Sequence, residues 1–348
     1  MKRLLFLSVA VLAYGGCERP TEPETASDSP EFKRAGASDA YEIIDLGTLG
    51  GDRSHAYGIN NRGQVVGYSH TSSGAQRAFL WENGEMTDLG TLGGDGSYAI
   101  AINNRGQIVG SSHTSSGALR AFLWENGEMT DLGDWDVEDI NDRGQIVGCA
   151  GEPEHAFLWE NGGMTDLGTL GGNSSCARGI NSRGQVVGHS KSATARLRHA
   201  FLWDRGEMTD LGTLGGEWSV ANAINDRGQV VGASETGGTV GEKQDLGVLW
   251  ERGVMTVLGT PGVLGGGEIY VLDINNRGQA VGYASAVFAG SPYSVIRGHL
   301  WENGEIVVLG TLGGLDGEAT GINSRGQIVG SADTDSGDPH ATLWQPKN

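Results

Sequence analysis

The sequence predicts an all-β fold, a seven-bladed β-propeller of four-stranded antiparallel blades, on three observations. Glycine supplies 60 of 348 residues, far above the usual roughly 7%. The string I-N-x-R-G-Q recurs seven times, with its Asn at 60, 103, 141, 181, 225, 275 and 323, spaced by 43, 38, 40, 44, 50 and 48 residues. A Leu-Trp pair (Trp81, Trp124, Trp159, Trp203, Trp250, Trp301, Trp344) recurs with the same count, and one place in each repeat carries D-L-G or V-L-G (Leu46, Leu89, Leu132, Leu167, Leu211, Leu258, Leu309). A period of this length is the mark of a repeat architecture.

Composition excludes the competing classes. Glycine costs about 1 kcal/mol relative to alanine inside a helix, and almost no window of ten residues lacks one, so helical bundles and coiled coils are out. Only 8 prolines and no three-residue glycine period exclude collagen. With 38% hydrophobic residues and 9 tryptophans, the chain can fill a core rather than stay disordered. A net charge of −19 argues against nucleic acid as a partner, which rewards basic patches.

Each repeat resolves into four strands, as the second shows: Tyr98–Asn103, Gln107–Ser111, Arg120–Trp124 and Met129–Leu132. Asn103-Asn104-Arg105-Gly106 suits a type I turn closed by a left-handed glycine, with the Asn side chain bracing it. Glu125-Asn126-Gly127-Glu128 places Asn-Gly at the centre of a type I′ hairpin. Tight antiparallel hairpins exclude a parallel solenoid, and strands apolar on both faces suit blades covered on both sides. An open row of hairpins would leave its end faces exposed.

The ends of the repeat region specify closure. The seventh repeat stops after its third strand at Ala341–Trp344, while Tyr41–Leu46 is a fourth strand with no repeat before it. Residues 41–46 are therefore expected to pair beside Ala341–Trp344 and close the ring, removing two edges.

Residues 1–16 read as a signal peptide: Lys2 and Arg3, then the apolar run Leu4–Ala13, too short to span a membrane. Gly15-Gly16-Cys17 resembles the bacterial lipoprotein signal, which implies acylation of Cys17, with plain secretion as the alternative. Residues 17–40 form the lipid anchor and a disordered tether, since 18–40 carry only Phe32 as a large apolar side chain. Glu18, rather than aspartate, beside Cys17 favours the outer membrane by the same resemblance. Losing Lys2 and Arg3 takes the net charge from −19 to about −21.

The third strands His155–Trp159 and His199–Trp203 both read H-A-F-L-W, with Arg77, Arg120, Arg297 and His340 at the same place elsewhere. Together with D-L-G-T-L-G-G and I-N-x-R-G-Q, this resembles the bacterial extracellular repeat family named for its His-Ala-Phe (HAF) motif, over residues 41–348. The fifth repeat departs, with Leu246-Gly247-Val248. The resemblance implies a secreted or surface repeat protein and carries no catalytic residues over.

Most recurring side chains read as framework. The repeated Arg (Arg62 to Arg325) is expected to pair with the Glu of the other hairpin or to be solvated, and the tryptophans to sit in the core or between blades. His155, His199 and His340 hold one place in separate blades and so cannot converge on one metal. Asp333, Asp335 and Asp338 could offer oxygens to Ca²⁺, although Trp344 at the twelfth position breaks the EF-hand spacing and a polar turn is the alternative. No other cofactor is indicated, and nucleophile-elbow, zinc-protease and P-loop strings are absent. Asp139 and Asp273 stand where other repeats have Gly or Ala, and would line the channel if that place faces the axis. Cys149 and Cys176 are expected as two separate thiols, with a disulfide as the alternative that export permits.

One face of the ring carries the near-identical N-x-R-G and E-N-G-E turns. The other carries the variable connections, where binding residues concentrate on a rigid scaffold. Trp218, Phe288, Tyr293, His70 and His113 are the candidates there. The expected function is a monomeric, non-enzymatic envelope or extracellular module that presents this face to a protein or carbohydrate. The alternatives are a glycan-cleaving propeller with axial acids and a purely structural surface component.

Overall fold

The computed structural model describes residues 40–193, 197–239, 243–259, 268–287 and 294–347. Cys17 with the signal and tether, and the candidates Phe288 and Tyr293, lie outside them. Among the described residues there are 28 strands in seven four-stranded antiparallel sheets and no helix.

After β1 (Tyr41–Asp45), blade 1 is formed by β2 (Gly50–Ile59), β3 (Val65–Thr71), β4 (Gln76–Glu82) and β5 (Glu85–Asp88). Blades 2 to 6 follow in chain order as β6–β9, β10–β13, β14–β17, β18–β21 and β22–β25, spanning 93–133, 136–166, 171–210, 215–257 and 269–308. Blade 7 joins β26 (Gly313–Ile322), β27 (Ile328–Thr334) and β28 (Pro339–Pro346) to β1 (Tyr41–Asp45). The register runs from Tyr41 opposite Pro346 to Asp45 opposite Thr342, the expected closure.

The turns adopt the predicted geometry. Gly63 N donates to Asn60 O at 3.0 Å and Gly63 has φ +85°, while Asn83 and Gly84 have φ +54° and +86°, the type I′ pair. The first strand is longer than the sequence reading placed it. L-G-G is not a connection but the start of that strand: Gly50 pairs with Thr71, and Leu49 bridges Thr71 in parallel, as Leu92, Leu170, Leu214 and Leu312 do in their blades. Gly51 follows from this, because a Cβ there would lie 2.7 Å from the carbonyl oxygens of His70 and Thr71. Blade 3 lacks T-L-G-G, and its first strand is only Asp136–Ile140.

The core lies between blades rather than within them. Val66, Ala78 and Leu80 of blade 1 pack on Ala99, Ile102, Ile108 and Phe122 of blade 2, and Ala56, Val65 and Phe79 pack on Val329, Ala341 and Leu343 of blade 7. Trp344 and Trp250 are 0% and 4% exposed, and their indole N–H groups donate to Gly310 O and Leu211 O in the chain that enters from the preceding blade. A recurrent serine stitches the same seams: Ser97 Oγ accepts from Ala78 N at 2.9 Å and donates to Gly90 O at 2.6 Å. Ser54 does this for the closing blade, with Ala341 N and Gly47 O.

Candidate functional site

The innermost strands line the axis, and its two ends differ. At the N-x-R-G end the repeated Asn side chains form a closed cycle. Asn60 Nδ2 donates to Asn103 O, Asn103 to Asn141 O, Asn141 to Asn181 O, Asn181 to Asn225 O, Asn225 to Asn275 O, Asn275 to Asn323 O, and Asn323 back to Asn60 O, all at 2.9–3.1 Å. The second amide hydrogen goes to the Gln four residues on, at 2.7–2.8 Å. The amide oxygen accepts two backbone N–H groups of its own turn, as Asn60 does from Arg62 and Gln64. These asparagines are 3–5% exposed and have a partner for every polar hydrogen. Only a side chain with two donors and an acceptor can do this, which is why the string needs Asn.

Gln64 Nε2 then reaches Glu82 Oε2 at 2.6 Å, and Gln279 reaches Glu302 Oε1 at 2.8 Å. Gln, not Arg, thus takes the hairpin Glu. The Arg crosses to the next blade instead: Arg325 Nε donates to Asn61 O at 2.8 Å, and the guanidinium of Arg62 lies over the turn glycine Gly106. Around the mouth, Asn61 N donates to Asn104 Oδ1, Asn104 N to Asp142 Oδ1, and Ser324 N to Asn61 Oδ1, each at 2.8 Å. They rim an open depression of about 200 Å³.

Further along the innermost strands, both oxygens of the Asp139 and Asp273 carboxylates accept a backbone N–H. Asp139 takes Ile140 N and, from the next blade, Ile180 N at 2.8 and 2.9 Å. Asp273 takes Ile274 N and Ile322 N at 2.7 and 2.8 Å. Burial pushes Asp139 up to about 7 against the pull of those two donors, and the charge of Asp273 adds to it. These are clips between blades.

Nearer the loop end lies a belt in which every blade differs. The facing pairs of first and second strands are His55 and Tyr68, Tyr98 and Ser111, Asp136 and Cys149, Cys176 and His189, Val220 and Ala233, Tyr270 and Tyr283, and Glu318 and Ser331. Second-strand members also meet the next blade. Cys149 and Cys176 form a disulfide, Cα atoms 4.8 Å apart, which corrects the expectation of separate thiols. It ties blade 3, whose first strand is short, to blade 4. His55 Nε2 stands 3.4 Å from Glu318 Oε1 of blade 7, and burial holds His55 below its ordinary range.

Arg178 and Glu138, two residues further along in blades 4 and 3, oppose each other's charge. Burial raises the Glu138 carboxyl and Arg178 lowers it. Arg178 Nη1 donates to Asn222 Oδ1 at 3.2 Å, and Asn222 Nδ2 to Val271 O at 2.8 Å.

The sequence-derived candidates do not converge. Trp218 is half-buried at the start of β18 and hydrogen-bonds Asp245. His70 pairs with Asp52 of its own blade at 3.4 Å, and His113 is exposed at the end of β7. The loop holding Asp333, Asp335 and Asp338 is closed by Thr334 N to Asp338 O and Gly337 N to Thr334 O, the same turn that Thr71, Gly74 and Ala75 make. No three His, Cys, Asp or Glu residues group as for a metal among the described residues. The His of H-A-F pairs with the Asp of D-L-G: His155 with Asp166 and His199 with Asp210 at 2.8 Å, and His340 with Asp45 at 2.9 Å across the closure. Arg77 and Arg120 reach Asp88 and Asp131 at 3.7 Å in the same way. Where blade 5 has Val257 instead of that Asp, its partner place is Leu246.

Missed by the sequence reading was the belt, whose signal is the column of unlike residues at 55, 98, 136, 176, 220, 270 and 318 in otherwise uniform repeats.

No protein-family model and no curated protein matches the chain. Solved propellers do. The β-propeller domain of the Trilobed protease from Pyrococcus furiosus, described as having an open velcro topology, aligns at TM-score 0.55 and 8% identity over 85% of this chain and 96% of that one. TolB from Acinetobacter baumannii aligns at TM-score 0.46 and 10% identity over 86% of this chain and 65% of its own. XC5397 from Xanthomonas campestris, a gluconolactonase, aligns at 0.41 and 10% over 90% and 93%. At these identities the likeness extends to the fold alone. Here the velcro is closed by β1.

Proposed function

We propose that this chain is an exported binding module, held at the envelope through a lipid on Cys17 and engaging a protein or carbohydrate with the loop end of the ring. The single observation that carries this reading is the contrast between framework and end. The hydrogen-bonded positions repeat in nearly every blade, while the facing pairs of the belt differ in each and the loops beyond it vary outside the S-H-T-S-S-G-A that blades 1 and 2 share. Sevenfold identity builds a scaffold; departure from it at one end is where a surface acquires specificity. A glycan-cleaving reading needs acids open to substrate, and the tying of Asp139 and Asp273 to backbone donors favours binding instead.

Two measurements test the reading. Metabolic labelling with a fatty acid should mark the wild-type chain and not Cys17→Ser; equal labelling removes the anchor. Binding to arrays of envelope glycans and purified envelope proteins should weaken at least about tenfold in a Trp218→Ala, His113→Ala double variant, and stay unchanged in Arg143→Ala, Arg227→Ala at the opposite end. The reverse pattern would refute the face assignment.

A further inference from the structure

Glu318 sits on the innermost strand of blade 7, where the neighbouring belt residues are aromatic. Blade 1 contributes His55, Tyr57 and Tyr68, and blade 6 contributes Tyr283. The rings of His55 and Tyr57 are 4.6 Å apart, those of His55 and Tyr68 are parallel at 5.9 Å, and those of Tyr57 and Tyr68 are tilted at 5.9 Å. Tyr283 lies tilted against Tyr270, ring centres 5.1 Å apart. β26 and β2 are locked side by side here by Thr320 Oγ1 donating to Ala56 O at 2.8 Å. The Glu318 side chain keeps 19% of its surface exposed, so the recess is open to water.

Two features are unresolved by the fold itself. The only basic group within 4 Å of the Glu318 carboxylate, among the described residues, is His55, which burial keeps neutral. His55 is 6% exposed, and its Nε2, although 3.4 Å from Glu318, makes no hydrogen bond with it. The charge of Glu318 reaches Tyr57, Tyr68 and Tyr283, raising each hydroxyl after the larger effect of burial. A carboxylate and an unengaged imidazole nitrogen beside a group of tyrosine rings form a place for a compact cation that brings its own N–H donors.

We infer that the recess around Glu318 binds a primary ammonium group, which donates to Glu318 and to His55 Nε2 while its alkyl stem lies against Tyr57 and Tyr68. A quaternary ammonium satisfies the rings but neither acceptor, and a guanidinium holds its donors in a rigid planar fork, whereas an ammonium can turn separate N–H groups toward two acceptors on one side of it. The chain's net charge of −19 draws cations toward it. The ammonium can belong to a free alkylamine or to a lysine side chain of a protein, and the test separates the two. The inference does not depend on the loop-face reading.

Calorimetric titration of the full chain with n-butylammonium should give saturable binding. Glu318→Gln should weaken it at least about tenfold, the scale of one charge-assisted contact. Tyr57→Leu should weaken it about threefold. Tetramethylammonium should bind at least about tenfold more weakly than n-butylammonium. Glu318→Lys, which fills the recess with its own ammonium, should abolish binding while thermal unfolding and circular dichroism stay like wild type. An acetylated, amidated Gly-Lys-Gly peptide that binds more tightly than n-butylammonium assigns the site to a protein lysine; weaker binding assigns it to a free amine. Absence of saturable n-butylammonium binding, equal affinity in folded Glu318→Gln, or equal affinity for tetramethylammonium overturns the inference.

Discussion

The two ends of the axis use the same kind of polar chemistry to opposite effect. At the N-x-R-G end, seven asparagines differ in nothing but blade number, and each amide hydrogen and oxygen is engaged. In the belt, His55, Tyr98, Asp136, Cys176, Val220, Tyr270 and Glu318 share one position but no common side chain, and buried imidazole nitrogens of His55 and His189 are left over. A fully satisfied polar network stabilises and specifies a geometry, whereas an unsatisfied buried group is a cost. The first end holds the ring shut. The second carries the local inconsistencies expected of a surface kept for something other than folding.

If that division is right, the largest loss of stability comes from the uniform end. Asn141→Ala removes four hydrogen bonds and leaves Asn181 O and two backbone N–H groups buried without their partner. We expect a loss of about 4 kcal/mol in denaturant unfolding; a loss under about 1 kcal/mol would make the cycle ornamental. Next comes the one strong bond in the belt. Reducing Cys149–Cys176, which closes 27 residues, should cost about 3.5 kcal/mol by loop-closure entropy, measured as the difference in unfolding midpoint with and without reductant. Cys149→Ser should show the same shift and no response to reductant.

Acid sharpens the comparison further. His299 stands where four of the other third strands have Phe, is 1% exposed, and burial pulls it down to about 4. Above its ordinary value near 6.5 the folded and unfolded chains both hold it neutral, so it adds no pH dependence. As pH falls from about 6.5 to about 4, the unfolded chain is protonated first and stability is lost, by at most about 3 kcal/mol. His299→Phe should flatten unfolding stability across that window and raise it slightly at pH 7. The smallest effect belongs to the rim pairs. His155 and Asp166 are 35% and 61% exposed, so His155→Ala should change stability by about 0.5 kcal/mol or less, and addition of a metal chelator should leave the unfolding temperature of both proteins alike.

Much of this was legible in the sequence because its signals are local. A glycine after N-x-R and an Asn-Gly between two Glu declare hairpins from the chemistry of three or four consecutive residues, and they fold as those residues require. Ring closure was legible because a surplus strand at 41–46 and a missing one after Trp344 could be matched by type. The role of Asn60 was half legible. Its bond to its own turn follows from spacing, but its donation to Asn103 O spans 43 residues and depends on how neighbouring blades are angled. The pairing of Cys149 with Cys176 was left open for the same reason.

The sequence by itself determined the blade count, the order of strands and the turn types, because each is written in contacts between near neighbours and repeated until no other period fits, and it determined the closing strand because the piece left over at one end is the piece lacking at the other. The tertiary structure alone decided which side chains meet across blades: the His155–Asp166 rim pairs, the aspartate clips, the disulfide and the company of Glu318. Those depend on the offset between one sheet and the next, a quantity set by packing of the apolar seams and carried by no single repeat.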